Sequence, residues 1–491
     1  MKFCFEKKTF IEQSIQADKL AVVGSDRSIS WQEFETEVNE LCEQFSSNGI
    51  SNLKYPVIIY GHKKANMLVA IYALIKLKIT YIPIDVIYPK DRIQKIITAS
   101  GCQLILNTTE DHLKFDEVVE INLKKDQLVF PSINFDIVKQ SPSLDPIVYT
   151  IFTSGSTGEP KGVQISTDAI QSFSHWVQSD FNFTSSDVFI NTAILSFDLS
   201  VYEVVSFASL GATILLNDKT VVSSPGLFLS RVAKYKGSVW VSTPSFALMY
   251  ARMSSEPLLA SVNSFLFCGE VLPNSLAKNL LKSFENTRVI NSYGPTEATV
   301  ATTSVEITAE IVANYDPLPV GKPKKGSQLL IENGEIIIVG DHVSVGYLNA
   351  EELNAKKFLV VEGKRAFKTG DNGFFKDGWL FFSGRNDDLV KLHGFRIELN
   401  EITAAINSLP FVHQGAAIAL KRNETVKKIV SLICLKNRDN TVSVTFIKAE
   451  LAKVLPHYMV PSDIHFVEHI PLNQNGKADK KLLTEIYLNR S

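Results

Sequence analysis

The sequence predicts an α/β fold in two parts. A large N-terminal domain would hold layered α/β sheets plus a small β subdomain, and a smaller α+β domain would follow it. Three observations carry this expectation. Apolar strand and helix segments alternate from Pro56 to Gly334, short β segments with Gly and Asp-Gly turns come next, and a mixed module long enough to fold alone begins near Asp387. A chain of 491 residues is too long for one simple core. The expected domains are 1–386 and 387–491.

The elements can be justified in order. PVIIYG reads as a buried strand ending at Gly61, and NMLVAIYALIKLK as a helix apolar nearly all round. YIPID is a strand, DRIQKIITAS a helix stopped by Gly101, and QLILN another strand. PIVYTIF and VQIS are strand-like segments on either side of a polar loop. SVYEVVSFASLG and ATILLN repeat the helix–Gly–strand pattern, and SVWVSTP, SFLFCGE and TRVINSYGPTE are strands ending in polar loops. Such alternation favours parallel strands, with ligands at their carboxyl ends. GEIIIVGDHVSVGYL and RAFKTGDNGFFKDGWLFFSGR form the β subdomain, the latter with an Asp-Gly hairpin turn. VKLHGFRIE, EITAAINSL, GAAIAL, KKIVSLICL, VSVTFIKAELAKVL and DIHFVEHI make the terminal module.

Composition narrows the function classes. Apolar residues are 45% and charged residues 21%, so the chain should fold throughout. A formal charge of −2 and a pI near 6.5 give no reason to expect nucleic acid or a membrane surface as partner. Cys4, Cys42, Cys102, Cys268 and Cys434 lie far apart with no C-x-x-C pair, the usage of reduced thiols in a cytoplasmic protein. The amino terminus, MKFCFEKKTFIEQ, lacks the apolar run of a secretory signal. The best membrane candidate, VFINTAILSF, is short and broken by Asn191 and Thr192.

The loop TSGSTGEPKG is the strongest chemical signal. Thr153, Ser154, Gly155, Ser156, Thr157 and Gly158 offer hydroxyls and free backbone amides, and Lys161 adds charge. Glycines let a backbone approach a polyphosphate and successive amides make an anion nest. The spacing is not G-x-x-x-x-G-K-[ST]. A disordered Ser/Gly linker is the competing reading, and the apolar segments on both sides argue against it. In NSYGPTEATVATT, Tyr293 can stack on a base, Thr296 can bond a phosphate oxygen and Glu297 can hold Mg²⁺ through oxygen. Taken alone, G-P-T-E could equally be a turn. KTGDNG sets Asp371 between glycines, suited to accept from a ribose diol, although such turns are common. PLNQNGKADKK presents Lys477 on a Gly-containing turn, where a lone lysine is ordinarily just solvated. Asp198, in SFDLSVYEV, starts an apolar-periodic helix. It can be a helix cap, as can Ser200, or the counter-charge of a buried ammonium.

Together these segments resemble the adenylate-forming superfamily, over essentially the whole chain and in the superfamily's order. The resemblance implies ATP-dependent activation of a carboxylate as an acyl-adenylate, followed by transfer to a thiol. It also implies a large adenylate-forming domain with a mobile C-terminal lid. By the motif match Thr153, Ser154 and the following glycines would handle the β- and γ-phosphates. The segment Asn291, Ser292, Tyr293, Gly294, Pro295 and Thr296 would bind the nucleotide, with Tyr293 and Asn291 on the adenine. Glu297 would hold Mg²⁺, Asp371 and Arg385 the ribose, and Lys477 would reach the nascent acyl-phosphate oxygens. Asp387 would be the hinge. The F-D-x-S pattern resembles amino-acid adenylation domains, where the Asp pairs with the substrate ammonium.

A narrower resemblance comes from FLFCGEVLPNSLAKNLLKSF, YGPTEATVATT, YGHKKANMLVAIYALIKLKITYIPID and PLNQNGKADKKLL. These are similar to the D-alanine–D-alanyl carrier protein ligase family, which implies D-alanine as substrate, a phosphopantetheine carrier protein as partner and teichoic acid modification as purpose. Asp198, Cys268, Gly294, Val300 and Lys477 would then meet the substrate, with Cys268 at the alanine methyl. NTAILSFDLSVYEV is closer to generic adenylation domains. A stand-alone nonribosomal peptide adenylation domain for another small amino acid is therefore the alternative.

Overall fold

The computed structural model describes residues 17–116, 118–123, 146–155, 159–251, 256–284, 286–385, 388–422, 425–436, 442–472 and 478–489. They fall into two compact units. The first comprises 1–85, 100–151 and 162–386, and the second 86–99, 152–161 and 387–491.

In the first unit the main sheet has nine strands. Its middle runs Arg288–Tyr293, Ser264–Phe267, Val239–Ser242, Val188–Asn191, Thr213–Leu216 and Leu20–Val23, all parallel. Antiparallel strands close both edges: Thr303–Glu306 and Lys322–Pro323 at one, Ser28–Ser30 at the other. Neighbouring residues of each middle strand enter different cores. Val22, Phe189, Ile214, Val239, Leu266 and Ile290 join one apolar cluster, whereas Val23, Ile190, Leu215, Trp240, Phe265 and Val289 join another. Both faces are thus covered, which is why these strands read as unbroken apolar runs.

A second sheet has seven strands, with Tyr81–Asp85, Val57–Gly61, Leu104–Asn107 and Val119–Asn122 parallel to their neighbours. The helices Trp31–Ser47, Ala65–Lys76, Thr167–Asp180 and Val201–Leu210 contribute to the same core cluster as strands from both sheets. Helix limits follow local chemistry. Ser30 and Glu33 form a reciprocal capping box ahead of Trp31–Ser47, and Gly211, at φ +64°, ends Val201–Leu210 in the left-handed conformation. A five-stranded antiparallel sheet follows, built on Lys364–Lys376 and Trp379–Arg385. Its hairpin turns at Asp377 and Gly378, with φ +52° and +76°, as the Asp-Gly signal predicts.

The second unit holds the hairpin Leu389–Leu392 and Phe395–Glu398 and a three-stranded sheet of Val412–Arg422, Thr425–Leu435 and Asp463–Phe466. The helices Leu399–Asn407 and Val444–Val454 pack on it through Ile402, Ile406, Ile447 and Leu451. Among the described residues, no helix is long and apolar enough to cross a membrane.

Candidate active site

The carboxyl end of the strand Arg288–Tyr293 delivers the first group of site residues. Tyr293 is its last residue, buried, and its hydroxyl donates to Asp371 Oδ2 at 2.7 Å. Asp371 lies opposite Arg385 in the hairpin register, and the Arg385 guanidinium pairs with the other carboxylate oxygen. Arg385 also donates to the Thr369 carbonyl at 3.2 Å, and the Asp371 amide donates to Thr369 Oγ1 at 3.0 Å. Two separate sheets therefore converge on one carboxylate. Burial, then the charge of Asp371, pushes the Tyr293 phenol well above its ordinary range, so it stays a donor. Asn291, two residues back, donates to the Pro319 carbonyl at 2.8 Å.

After Tyr293 the chain folds back sharply on itself. Thr302 N donates to the Tyr293 carbonyl at 2.8 Å, closing the loop that contains Thr296 and Glu297. Gly294 is required there: a Cβ would sit 2.4 Å from Ala301 Cα. Thr296–Ala298 form a single tight turn in which Glu297 is fully buried. Tyr347 OH donates to Glu297 Oε1 at 2.6 Å, and Ser344 N donates to the Glu297 carbonyl at 2.8 Å. Among the described residues no group of three or more His, Cys, Asp or Glu side chains is placed to hold a metal. A single buried carboxylate with no protein cage is a donor set that fits Mg²⁺, which keeps waters and shares phosphate oxygens.

Cys268 follows the neighbouring strand Ser264–Phe267, buried, with Sγ 3.8 Å from the Val300 carbonyl. Asp198 opens a short 3-10 turn, Asp198–Ser200, ahead of the helix Val201–Leu210, and is buried. Ser200 holds the cap position but makes no capping bond; its hydroxyl donates to the Phe197 carbonyl at 2.8 Å. Tyr202 joins these parts. Its phenol is raised by burial and by both Cys268 and Asp198, and its hydroxyl donates to Ser292 Oγ at 3.2 Å. Tyr202 thus meets the strand-end segment at Ser292 and feels the charges of both Cys268 and Asp198.

The polar loop belongs to the second unit. Thr153 Oγ1 is buried with no hydrogen-bond partner among the described residues. Ser154 Oγ donates to the Arg396 carbonyl at 2.9 Å and accepts from Glu398 N at 3.1 Å. Gly155 N donates to Glu401 Oε2 at 3.2 Å, so the amide expected to meet phosphate here holds a carboxylate. The other Glu401 oxygen pairs with Arg92 at 2.5 Å, and Lys161 Nζ stands 3.6 Å from Glu398. Ser156, Thr157, Gly158, Asp387 and Lys477 lie outside the described residues.

Sequence reading missed Tyr347, Tyr202, Lys324 and His342, all within the first unit. Lone aromatic and basic residues carry no spacing signal, and their partners are distant in sequence.

Comparison with known proteins decides the family. The model for AMP-binding enzymes matches residues 11–348, and that for the AMP-binding enzyme C-terminal domain matches 401–477. The D-alanine–D-alanyl carrier protein ligase of Bacillus cytotoxicus is 37% identical, covering 96% of this chain and 97% of its own. That of Bacillus licheniformis is 38% identical with the same coverage. The chain belongs to the D-alanine–D-alanyl carrier protein ligase family.

The fold agrees with that of other AMP-binding enzymes. Holo-PA1221, a nonribosomal peptide synthetase protein containing adenylation and PCP domains, superposes with a TM-score of 0.81 at 22% identity, covering 97% of this chain and 83% of its own. The Vibrio cholerae adenylation domain AlmE, solved with glycyl-adenosine-5'-phosphate, gives 0.80 at 21% identity, covering 98% and 97%.

Proposed function

We propose that the protein, acting in the cytoplasm, activates D-alanine with ATP and loads it onto the phosphopantetheine thiol of a small carrier protein, for D-alanylation of teichoic acids. Near-full-length identity to D-alanine–D-alanyl carrier protein ligases is the observation that carries this reading.

In the first half-reaction an alanine carboxylate oxygen attacks the α-phosphorus of ATP, and the bond to pyrophosphate breaks. In the second the carrier thiol attacks the acyl carbon, loses its proton and releases AMP. Attack at phosphorus builds charge on equatorial oxygens, so fixed cations and donors matter more than covalent catalysis. We assign Lys477 and Thr296 to those oxygens, and Thr153, Ser154, Gly155, Ser156, Thr157, Gly158 and Lys161 to the phosphates. Asp371 and Arg385 are assigned to the ribose, and Asn291, Ser292, Tyr293, Gly294 and Pro295 to the nucleotide, with Tyr293 and Asn291 on the adenine. Glu297 would hold Mg²⁺, whose chemistry is to neutralise phosphate charge when bound. Asp198 would take the ammonium, which needs a counter-charge once buried. Cys268, Gly294 and Val300 would shape the methyl pocket. The domain division 1–386 and 387–491, with Asp387 as hinge, would let the second part serve both half-reactions in turn.

ATP–pyrophosphate exchange across D- and L-amino acids tests the reading. D-alanine should give the highest kcat/KM, and a holo carrier protein should then accept the label as thioester. Preference for L-alanine or a larger side chain would overturn it and favour a nonribosomal adenylation role.

A further inference from the structure

We propose that Lys324 and His342 are positioning residues that set the handedness of substrate selection by holding the turn Thr299–Val300. The inference rests on the reading that Cys268 and Val300 bound the amino-acid pocket.

Thr299 and Val300 are consecutive, β-branched and both left-handed, with φ +50° and +69°. That conformation is a genuine outlier for branched side chains and persists only where the surroundings over-determine it. Here the surroundings are visible. Thr299 Oγ1 donates to the His342 carbonyl at 2.6 Å, and Thr302 Oγ1 lies 2.8 Å from His342 Nε2. The other ring nitrogen, His342 Nδ1, lies 3.2 Å from Ser327 Oγ, so both faces of the imidazole edge are engaged. Lys324 Nζ donates to the Ala301 carbonyl at 3.1 Å, and Lys324 N donates to the Thr302 carbonyl at 2.9 Å. Its side chain reaches there between Phe173 and Trp176, with Nζ 5.5 and 5.0 Å from their ring centres. Thr299, Thr302, Lys324 and His342 are all buried.

The held turn meets the proposed pocket at the Val300 carbonyl, 3.8 Å from Cys268 Sγ. Releasing the turn would let Val300 leave its strained conformation and shift that carbonyl. D- and L-alanine differ only in which wall the methyl meets once the charged groups are fixed. A methyl-sized distinction spans roughly 10–200-fold and depends on wall position. Lys324 and His342 bond to the turn and its flanks, and act through this wall.

The test measures exchange kinetics of the full chain with D-alanine, L-alanine and ATP for Lys324→Met, Thr299→Gly and the control Thr299→Ser. Lys324→Met removes the donor and keeps the stem. Thr299→Gly removes the hydroxyl and the strain at its own position while leaving the buried Lys324 in place, so it is the second variant should Lys324→Met fail to fold. Both should lower the D/L ratio of kcat/KM by about tenfold, with KM for ATP within about twofold of the unmodified protein, and Thr299→Ser should retain the ratio. Unchanged D/L ratios in the folded variants would overturn this inference alone. Absence of any amino-acid-dependent exchange in the unmodified protein would overturn the pocket reading with it.

Discussion

The Tyr293 hydroxyl donates to Asp371 across 78 positions of chain, 2.7 Å from oxygen to oxygen, while Arg385 pairs with the other oxygen of the same carboxylate. This three-residue join ties the nine-stranded sheet to the small antiparallel sheet. It also explains why Asp371 is buried without being an isolated charge.

Asp371→Ala should therefore be costly twice over. Removing one partner of a buried pair leaves Arg385 uncompensated, typically about 3–5 kcal/mol of stability. Tyr293→Phe removes one hydrogen bond to a charged group and should cost less, about 1.5–3 kcal/mol. Urea unfolding of both variants gives the order, and KM for ATP should rise more in Asp371→Ala. Stabilities equal to that of the unmodified protein would show that the join carries no energy.

Asp198→Ala separates binding from capping. A cap role alone would cost about 0.5–2 kcal/mol of stability and leave KM unchanged. KM for the amino acid should rise far more than KM for ATP, since an ammonium would enter a closed site without its counter-charge. A large drop in Tm with unchanged KM would assign the residue to the fold.

Cys268→Ala tests the proposed methyl wall from its other side. Shortening the side chain should raise kcat/KM for L-alanine more than for D-alanine, within the roughly 10–200-fold range of one methyl. An equal change for both hands would place Cys268 away from the selecting wall.

Lys477 and Asp387 should split the two half-reactions. Lys477→Ala should lower adenylate formation by about 10²–10³, the usual loss for one preorganised donor, with ATP binding nearly intact. Asp387→Pro fixes φ near about −65° and should spare adenylate formation while blocking thioester transfer. Half the exchange rate retained in the lysine variant, or equal loss of both steps in the proline variant, would reject these roles.

His342 gives a pH signature. Burial first, then Lys324 and Arg365, holds its imidazole well below the ordinary 6.5, so it stays neutral in the folded chain. In the unfolded chain it takes a proton as pH falls through 6.5. Below that point the unfolded state binds the extra proton, so stability is full above about pH 6.5 and declines below it. The decline is at most about 1.4 kcal/mol per pH unit for this group. His342→Gln should flatten the fall in Tm between about pH 7.5 and 5.5; an unchanged slope would show that the imidazole does not titrate in this window.

Local pattern alone announced the order of strands and helices, the helix stop at Gly211, the Asp377-Gly378 hairpin and the polar loops at strand ends. Each depends on residues within a turn or two of one another, where backbone geometry translates directly into periodicity and turn chemistry. The ligase family was equally legible, because its motifs are contiguous text. What the tertiary structure decided is how distant residues meet. Tyr347 reaches Glu297, Tyr202 reaches Ser292, and Lys324 and His342 bond to the segment Thr299–Thr302. None of these has a spacing rule, since strand register and side-chain packing bring them together after folding. Thr299 and Val300 make the point most plainly: their local preference is for extended backbone, and buried hydrogen bonds from remote segments override it.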